Sequence, residues 1–503
     1  MKTLRCLQQE ATVLISTLNF NALIMKFRNL NIVAFSFVLF AATSCKKDLA
    51  ETNLNPNTAQ TAQPDYLLTA ASKITADAYW GADNNFNSSL LIVQHWAKIQ
   101  YTEPDRYIFS NSSFISLWNA LYSQSLTDLN TIIAQADAQG NSNYKGVALV
   151  LRSWVFQLLT DQYGAIPYKQ AGAIDENLTP VYDAQKDVYF GILDDLKTAQ
   201  AALDPAGKPI AGDVLYGGKI DLWKKFANSL RLRIALRIAD REPEKSKQVL
   251  ADIAAEGGAY ISDNAEIAQL LYYDSPNQNP VSAWFDTRDD YRISKSMTDK
   301  LFQLNDPRLP VYASKTQTPT PTVYVGIPNG LTTGDANNLG FAKTSRPGAY
   351  FIAPHAPAVI ISYAEVLFDR AEAAARGFTA ENAADLYTQA IQASLMQYSI
   401  ADNDINTYLA QPSVAFNAAK YKQSIGEQKW IALFGNGLEA FAEWRRLDYP
   451  QLAPAVAGVL NSQIPVRFIY PGTEQSLNKE NYKIAVSNQG VDVLTTKLWF
   501  DVN

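Results

Sequence analysis

Cysteine and histidine are nearly missing from this chain of 503 residues. The two cysteines, Cys6 and Cys45, cannot build a disulfide framework, and the two histidines, His95 and His355, cannot supply a histidine-rich zinc site. No Ser-His-Asp arrangement is recognisable around either histidine, and the chain has no glycine-rich phosphate loop. We therefore predict no cofactor, no metal ligand and no catalytic residue.

An excess of charge of one sign is also missing. The chain has 43 Lys and Arg residues against 49 Asp and Glu residues, a net charge of −6, and no basic stripe. This balance argues against a nucleic-acid partner. Only 18% of the residues are charged and 47% are hydrophobic, which is enough apolar side chain to bury a large core. The composition therefore excludes disorder as the main state.

Apolar runs are short, and the most informative one lies near the N-terminus. Residues 30–40 follow Lys26 and Arg28 and precede small residues and Cys45. A transmembrane helix needs roughly 20 apolar residues, so this pattern is typical of a signal peptide instead. The small residues before Cys45 resemble a bacterial lipobox, although Ala42 stands where leucine is usual. We predict that Cys45 is acylated and anchors the protein to a membrane.

The lipobox divides the chain into three parts. Residues 1–44 are the leader and lipoprotein signal peptide, and we expect the true start at Met25. Residues 45–64 are polar, contain a turn-forming Asn-Pro pair, and are predicted to be a tether. Residues 65–503 are predicted to form the folded domain.

Helical periodicity dominates the third part. Apolar side chains recur every three or four residues over 144–163, 221–239 and 363–376, and Gly164 is a candidate C-cap. A further helix is predicted to begin after Thr379. Small side chains on the last two of these helices indicate a tetratricopeptide-like pair. We therefore predict a mainly all-α fold, built as an irregular tetratricopeptide-like helical repeat scaffold.

Three long polar segments interrupt the predicted helices, at residues 80–113, 272–292 and 316–357. They are rich in Asn, Gly, Pro and aromatic residues and are too long to be simple connections. Long loops on a rigid scaffold usually carry function. We expect short strands inside these three insertions.

An ordered set of motifs runs along the whole mature chain. Each motif is weak alone, and their order makes the set specific: Asn55-Pro56-Asn57, Tyr66-Leu67-Leu68, Trp118-Asn119-Ala120-Leu121-Tyr122, Thr160-Asp161-Gln162-Tyr163-Gly164, Trp223-Lys224-Lys225-Phe226, Trp284-Phe285-Asp286-Thr287-Arg288, Asn305-Asp306-Pro307-Arg308, Tyr363-Ala364-Glu365, Glu439-Ala440-Phe441-Ala442-Glu443-Trp444 and Ile464-Pro465-Val466-Arg467. With the lipobox, this set resembles the SusD/RagB family of nutrient-binding lipoproteins of Bacteroidetes, and particularly its SusD-like subgroup.

The resemblance implies a location, a partner and a ligand. It implies a single α-helical domain anchored by lipid on the outer face of the outer membrane. It also implies a SusC-like TonB-dependent transporter as partner, to which the protein hands a captured nutrient. That nutrient is usually an oligosaccharide and in some members a peptide. No catalysis is implied.

Acidic residues offer the only route to an enzyme. Glu439 and Glu443 lie one helical turn apart, but an ordinary helix ion pair, such as Glu443 with Arg446, is the better interpretation. A glycosidase also needs two carboxylates about 5 to 10 Å apart across an open cleft. The acidic run at 286–290 is predicted to be an ion-paired turn, because Arg288 lies within it.

Aromatic residues, at 11% of the chain, are the most conspicuous residues of the insertions. Sugar rings pack their C–H faces on aromatic planes, and their hydroxyls need amide or charged partners. We predict an exposed aromatic platform between the first insertion and residues 284–292, with Trp96 and Trp284 as the main stacking residues. The ligand-binding candidates are Trp80, Trp96, Tyr101, Trp284, Tyr291 and Arg292, with Asn84, Asn85 and Arg106 as further hydroxyl partners.

The main hypothesis is therefore a surface lipoprotein that captures an oligosaccharide for a SusC-like transporter. Capture of an oligopeptide in the same type of complex is an alternative. A surface glycoside hydrolase is a further alternative, which turnover of a glycan would favour. A protein-binding tetratricopeptide adaptor is another, which the absence of any soluble ligand would favour.

Overall fold

Helices make up most of the computed structural model, which describes residues 62–172 and 177–502. The predicted leader, Cys45 and residues 46–61 of the tether lie outside these residues. Residues Gln63–Asn503 form one compact unit. The α-helices, in chain order, are α1 Pro64–Trp80, α2 Leu90–Ile92, α3 Ile115–Asn119, α4 Leu126–Gln139, α5 Ser142–Tyr163, α6 Gln185–Ala202, α7 Ile220–Arg237, α8 Pro243–Ala255, α9 Pro280–Phe285, α10 Lys295–Gln303, α11 Leu309–Tyr312, α12 Thr333–Leu339, α13 Ala349–Ile352, α14 Tyr363–Ala375, α15 Ala383–Gln397, α16 Asp402–Leu409, α17 Tyr421–Ala432, α18 Gly437–Leu447, α19 Gly472–Leu477 and α20 Lys479–Gln489.

Neighbouring helices in the chain pack on one another, as a helical repeat requires. Helix α5 packs on α4 and α6, α7 packs on α6 and α8, and α14 packs on α15. The helices α14, α17 and α18 continue the stack and bring α14 against α7. Two π-helical stretches, Ala82–Ser89 and Ala120–Ser125, extend the helical runs. The prediction of an irregular all-α repeat scaffold is confirmed.

The strands are short and form two antiparallel pairs. Strands β1 Trp96–Lys98 and β3 Tyr291–Ile293 form one pair, and β2 Ala268–Leu270 and β4 Ala358–Ile361 form the other. Strands β1 and β3 lie at least partly within the first two predicted insertions, which confirms that these two contain short strands, whereas β2 and β4 lie just outside the insertions.

Local capping explains where two of the predicted helices start and end. Helix α5 begins after Asn141, whose side chain accepts a hydrogen bond from the Tyr144 N–H, and it ends at Gly164, whose φ of 87° suits glycine. The predicted start after Thr379 was wrong. Asn382 caps α15 instead, accepting from the backbone N–H groups of the helix's first turn, because asparagine is a better N-cap than threonine.

Small residues allow α14 and α15 to approach closely. Ala371 of α14 and Ala390 of α15 are both completely buried, and this pair of helices makes the most extensive contact in the protein's described part. Close-packed interiors leave few voids, so a larger side chain at either position has nowhere to go. The interpretation of this pair as tightly packed scaffold agrees with the structure.

A network of buried charges joins five helices at the centre of the scaffold. Its side chains are all at most 5% exposed. We call this set the core charge network: Asp161 of α5, Arg233 and Arg237 of α7, Glu365, Asp369 and Glu372 of α14, Lys429 of α17, and Glu439, Glu443 and Arg446 of α18.

Ion pairs within this network account for both carboxylates that could suggest a hydrolase. Arg446 lies 2.7 Å from Glu443 and 2.5 Å from Glu372, and Arg237 lies 2.5 Å from Glu439. Burial alone would raise the pKa of Glu443, but the cations around it, Arg446 first, hold that pKa well below its usual range. Glu439 and Glu443 are therefore structural, as predicted.

Candidate functional site

The first insertion and residues 284–292 meet in the structure, as the predicted platform requires. Strand β1 pairs with β3, so that Trp96 lies opposite Ile293 and Lys98 lies opposite Tyr291. The backbone N–H of Ile99 extends the ladder by donating to the Asp290 carbonyl at 2.8 Å. The pairing therefore brings together two segments that are nearly two hundred residues apart in the chain.

The prediction that Trp96 is exposed was wrong, and the same holds for Tyr291. The Trp96 side chain is only 1% exposed and Tyr291 is completely buried. Their ring centroids lie 5.8 Å apart, and both rings contact Phe86 from the π-helical stretch. The polar sequence around each residue does not reveal this cover, because Phe86 and Trp96 lie in the first insertion and Tyr291 lies in the second. These two rings are core rather than platform.

Trp80 and Arg292 are also buried. Trp80 is the last residue of α1 rather than a loop residue, and it is 4% exposed. The Arg292 guanidinium pairs with Asp289 at 2.9 Å and donates to the Thr344 hydroxyl at 2.9 Å. Arg292 therefore joins the second insertion to the third, and Trp80 belongs to the hydrophobic core.

Two of the three further hydroxyl partners are buried as well, and Arg106 is half-buried. Asn84 and Asn85 are at most 3% exposed, and their amides donate to the backbone carbonyls of Ala78 and Gly435. Arg106 donates to the carbonyl of Ala457 at 2.9 Å. The two asparagines therefore hold the π-helical stretch to α1 and to the loop before α18 rather than face solvent.

Two of the six ligand-binding candidates remain accessible, and an arginine joins them. Tyr101 is 52% exposed and Trp284 is half-buried. The guanidinium carbon of Arg288 lies 4.7 Å from the Tyr101 ring centroid and 4.6 Å from the Trp284 ring centroid. Both distances are within the range of cation–π attraction. We call Tyr101, Arg288 and Trp284 the surface stack.

Each member of the surface stack is held by its own segment. Tyr101 follows β1 with a φ of 53°, a left-handed conformation that is unusual for a bulky residue. Trp284 lies on α9, whose N-cap Asn279 accepts from the Val281 N–H at 2.7 Å. The Trp284 ring packs edge-on against Phe86 at 5.5 Å. The two rings are thus positioned before any ligand arrives.

Arg288 is fixed by a buried carboxylate. Its Nε and Nη2 donate to Oδ2 of Asp290 at 3.0 and 2.7 Å, and Lys98 lies 3.5 Å from the same carboxylate. Burial lowers the pKa of Lys98 to about 8, an effect that Asp290 opposes. Lys98 also lies over the Tyr291 ring, 4.4 Å from its centroid. The acidic run is an ion-paired turn, which confirms that prediction.

A second pair of a ring and a cation lies beside the surface stack. The guanidinium carbon of Arg346 lies 5.2 Å from the centroid of Phe285, the residue after Trp284, and Arg346 pairs with Asp289 at 2.9 Å. Tyr101, Trp284 and Arg346 come from the first, second and third predicted insertions in turn. All three insertions therefore contribute to one surface.

Sequence reasoning missed Arg288, Phe285 and Arg346 as candidates. Arg288 was interpreted only as the partner of an acidic neighbour, which it is, but it also lies between two rings. The signal that could have identified it is an arginine close in sequence to a tryptophan within one insertion, although α9 ends at Phe285 and helical spacing does not relate the two. Nothing in the sequence indicates that Arg346 lies next to Phe285.

The helices of the described residues include none that is long and apolar enough to cross a membrane.

Comparisons with known proteins agree on one family. A SusD-like family model, described as starch-binding associating with outer membrane, matches residues 56–471. A solved chitin-binding protein is 29% identical over 88% of this chain and 100% of its own, with a TM-score of 0.80. A SusD homologue from Bacteroides uniformis is 25% identical over 87% and 100%, with a TM-score of 0.77.

A third structure supports the fold alone. A chitin-binding SusD homologue from Flavobacterium johnsoniae is 24% identical over 87% of this chain and 99% of its own, with a TM-score of 0.79. Curated protein sequences include no match to this chain. The family match extends over most of the chain and includes all three insertions. This chain therefore belongs to the SusD-like family.

Proposed function

We propose that this protein captures an oligosaccharide on the surface stack and the neighbouring Phe285 and Arg346. The observation that carries the proposal is that Arg288 lies between two accessible rings, Tyr101 and Trp284, where three insertions meet. Aromatic planes can pack on the C–H faces of sugar rings, and guanidinium N–H groups can donate to sugar hydroxyls. The surface thus offers both kinds of contact that a glycan needs.

The charges of this surface favour a neutral glycan. Arg288 is paired with Asp290 and Arg346 is paired with Asp289, so both cations already have a carboxylate partner. A charged ligand would have to compete with these pairs, whereas a neutral sugar would not. A chitin-type oligosaccharide is neutral, and the 29% identical relative is called a chitin-binding protein. Chitin fragments are therefore the first ligand to test.

The location and the partner belong to the same proposal. We infer that Cys45 carries lipid, that the protein faces the cell exterior on the outer membrane, and that it hands its ligand to a SusC-like TonB-dependent transporter. The family description, which names association with the outer membrane, supports the location. The absence of a spanning helix among the described residues is compatible with a lipid anchor.

A binding screen tests the ligand. The full chain, purified in detergent, is titrated by calorimetry with chitohexaose, maltohexaose and a mixture of short peptides, and the sugars are analysed by chromatography afterwards. We expect chitohexaose to bind saturably and to be recovered intact. Binding of peptides alone would favour oligopeptide capture, and shortened sugar would favour a glycoside hydrolase. Binding of none of these ligands would favour a protein-binding adaptor.

Metabolic labelling tests the anchor. Cells that express the full chain are fed a fatty-acid analogue, and the label on the wild type is compared with that on Cys45→Ala. We expect the variant to lose the label, because the thiol that accepts the lipid is gone. A Cys6→Ala variant should keep the label, and undiminished label on Cys45→Ala would contradict the anchor.

A further inference from the structure

A cavity of about 680 Å³ lies on the helical scaffold rather than on the insertions. It is formed by the start of α6, the end of α20 and the last described residues of the chain. Its volume falls within the roughly 300 to 1,000 Å³ of typical small-molecule sites. We call it the C-terminal cleft, and its lining includes Gln185, Lys186, Arg241, Asn488, Lys497 and Trp499.

Part of the polar lining of the C-terminal cleft is already used by the fold. The Gln185 amide donates to the Thr160 carbonyl at 2.6 Å and accepts from the Phe500 N–H at 3.3 Å. The Gln489 amide accepts from the Ala165 N–H at 2.5 Å and also donates to a backbone carbonyl. The Gln185 amide thus fixes Phe500 against α5 and α6, and the Gln489 amide fixes α20 to the end of α5, so both have little capacity left for a ligand.

The remaining polar groups are mainly donors. Arg241 uses its Nε to donate to the Trp499 carbonyl at 2.6 Å, and its two terminal nitrogens have no hydrogen-bond or ion-pair partner among residues 62–172 and 177–502. A guanidinium with two free terminal nitrogens can bind a carboxylate in a bidentate manner. The Lys497 ammonium lies 3.7 Å from Asp501, beyond ordinary hydrogen-bond distance. The cleft therefore favours a ligand that accepts hydrogen bonds.

The charges around the C-terminal cleft do not cancel. Lys186 pairs with Glu242, and Lys497 lies near Asp501, which leaves the positive charge of Arg241 without a partner in the described part of the chain. One uncompensated positive charge matches a ligand with one carboxylate. Asp501 would repel a dianionic phosphate more strongly than a monoanion.

An aromatic plane lies beside these donors. Trp499 is half-buried, and its ring centroid is 6.3 Å from that of Tyr189 in α6. Arg241 and Trp499 both line the C-terminal cleft, and the Arg241 Nε donates to the Trp499 backbone carbonyl, so the cation and the indole border the same space. A ring that stacks on the indole would thus lie close to the free guanidinium nitrogens.

We propose that the C-terminal cleft binds a uronic acid residue of an acidic saccharide. The carboxylate would take two hydrogen bonds from Arg241, and the sugar ring would pack on Trp499. This site is separate from the surface stack, whose cations are already paired and which suits a neutral glycan. The protein would then hold acidic and neutral sugar residues at different places.

Calorimetry with a charged ligand and its neutral form tests this proposal. The full chain is titrated with trigalacturonate and with the fully methyl-esterified trisaccharide, which has the same skeleton without the charges. We expect trigalacturonate to bind and the ester to bind at least about tenfold more weakly, a difference of about 1.4 kcal/mol. Binding of trigalacturonate should also weaken as salt is raised, because the contact is partly electrostatic.

Variants locate the binding. Arg241→Gln should weaken trigalacturonate binding by about tenfold or more, because it removes the charge and the bidentate contact. Lys208→Gln is the matched control, since Lys208 is also exposed and donates to a single carbonyl, that of Gln139. Trp284→Ala removes a ring of the surface stack and should leave trigalacturonate binding unchanged. The thermal melt of each variant shows whether its fold is retained, and Lys497→Gln is used if Arg241→Gln does not fold.

Three results would overturn the proposal. The first is that trigalacturonate does not bind, and the second is that the acid and its ester bind equally well. The third is that Trp284→Ala abolishes trigalacturonate binding while Arg241→Gln leaves it intact. The last result would move the acidic ligand to the surface stack. A failure of chitohexaose to bind would leave this proposal intact, so the two ligand proposals fail separately.

Discussion

Arginine has different roles in the two regions that define this protein. In the core charge network, Arg446 is 1% exposed and contacts carboxylates from two helices. In the surface stack, Arg288 is 37% exposed and contacts one carboxylate and two aromatic rings. A buried charge is costly unless it is paired, so the network fixes how the helices meet. The half-exposed Arg288 instead holds two rings in place and leaves part of their surface to solvent.

Removing a cation from the core should have the largest effect. Arg446→Met leaves Glu372 and Glu443 without one of their partners, and breaking a buried pair typically costs about 3 to 5 kcal/mol. We expect a strongly lowered melting temperature or no soluble protein. Lys247→Met is the control, because its pair with Glu244 is exposed and worth less than about 1 kcal/mol. Equal melting temperatures for Arg446→Met and Lys247→Met would show that the core charge network does not hold the scaffold together.

Overfilling the scaffold should have a smaller effect. Ala371 is completely buried where α14 meets α15, and overpacking typically costs about 1 to 3 kcal/mol. Ala371→Phe should therefore lower the melting temperature by several degrees. Ala384→Phe is a suitable control, because Ala384 is exposed in the first turn of α15, and it should melt close to the wild type. An unchanged melting temperature for Ala371→Phe would mean that Ala371 is not packed between α14 and α15.

Acidification tests the junction between insertion and scaffold. His95 of the first insertion is completely buried against Trp430 and Phe434, with ring centroids 5.1 and 5.4 Å away. Burial lowers the pKa of His95 from 6.5 to about 3. Between these pH values the unfolded chain binds a proton that the folded protein does not. The free energy of unfolding should therefore fall as the pH falls below about 6.5.

The size of this effect is read from denaturant unfolding at two pH values. Between pH 6 and pH 5, His95 should account for a loss of up to about 1.4 kcal/mol, which His95→Phe should not show. His355→Gln serves as the control, since that side chain is 62% exposed. If His95→Phe lost as much free energy of unfolding as the wild type, a group other than His95 would be the one that is protonated.

Much of the scaffold could be predicted from the sequence. Apolar side chains spaced three and four residues apart placed α5, α7 and α14 within a few residues of their observed bounds, because this spacing is a local property. The meeting of the first insertion with residues 284–292 was also predicted, and the pairing of β1 with β3 achieves it.

The exposure of individual aromatic rings could not be predicted. Trp96 and Tyr101 are five residues apart in one polar insertion, yet the first is 1% exposed and the second 52%. The difference depends on Phe86, ten residues earlier in the same insertion, and on Phe285 of the second insertion, which both cover Trp96. Burial in an insertion is thus decided by tertiary contacts that a local pattern does not contain. The role of Arg288 was missed for the same reason, because the ring of Tyr101 reaches it from a distant segment.

Binding of chitohexaose to variants of the surface stack tests the central claim most directly. Trp284→Ala and Tyr101→Ala each remove one ring, and an aromatic contact adds about 0.5 to 1.5 kcal/mol beyond its area. Tyr66→Ala is the control, because Tyr66 is 73% exposed on α1, outside the insertions. Calorimetry on the full chain should show binding weakened by roughly tenfold in the first two variants and unchanged in the third. Chitohexaose binding that neither Trp284→Ala nor Tyr101→Ala weakens would contradict the claim that this surface is the ligand site.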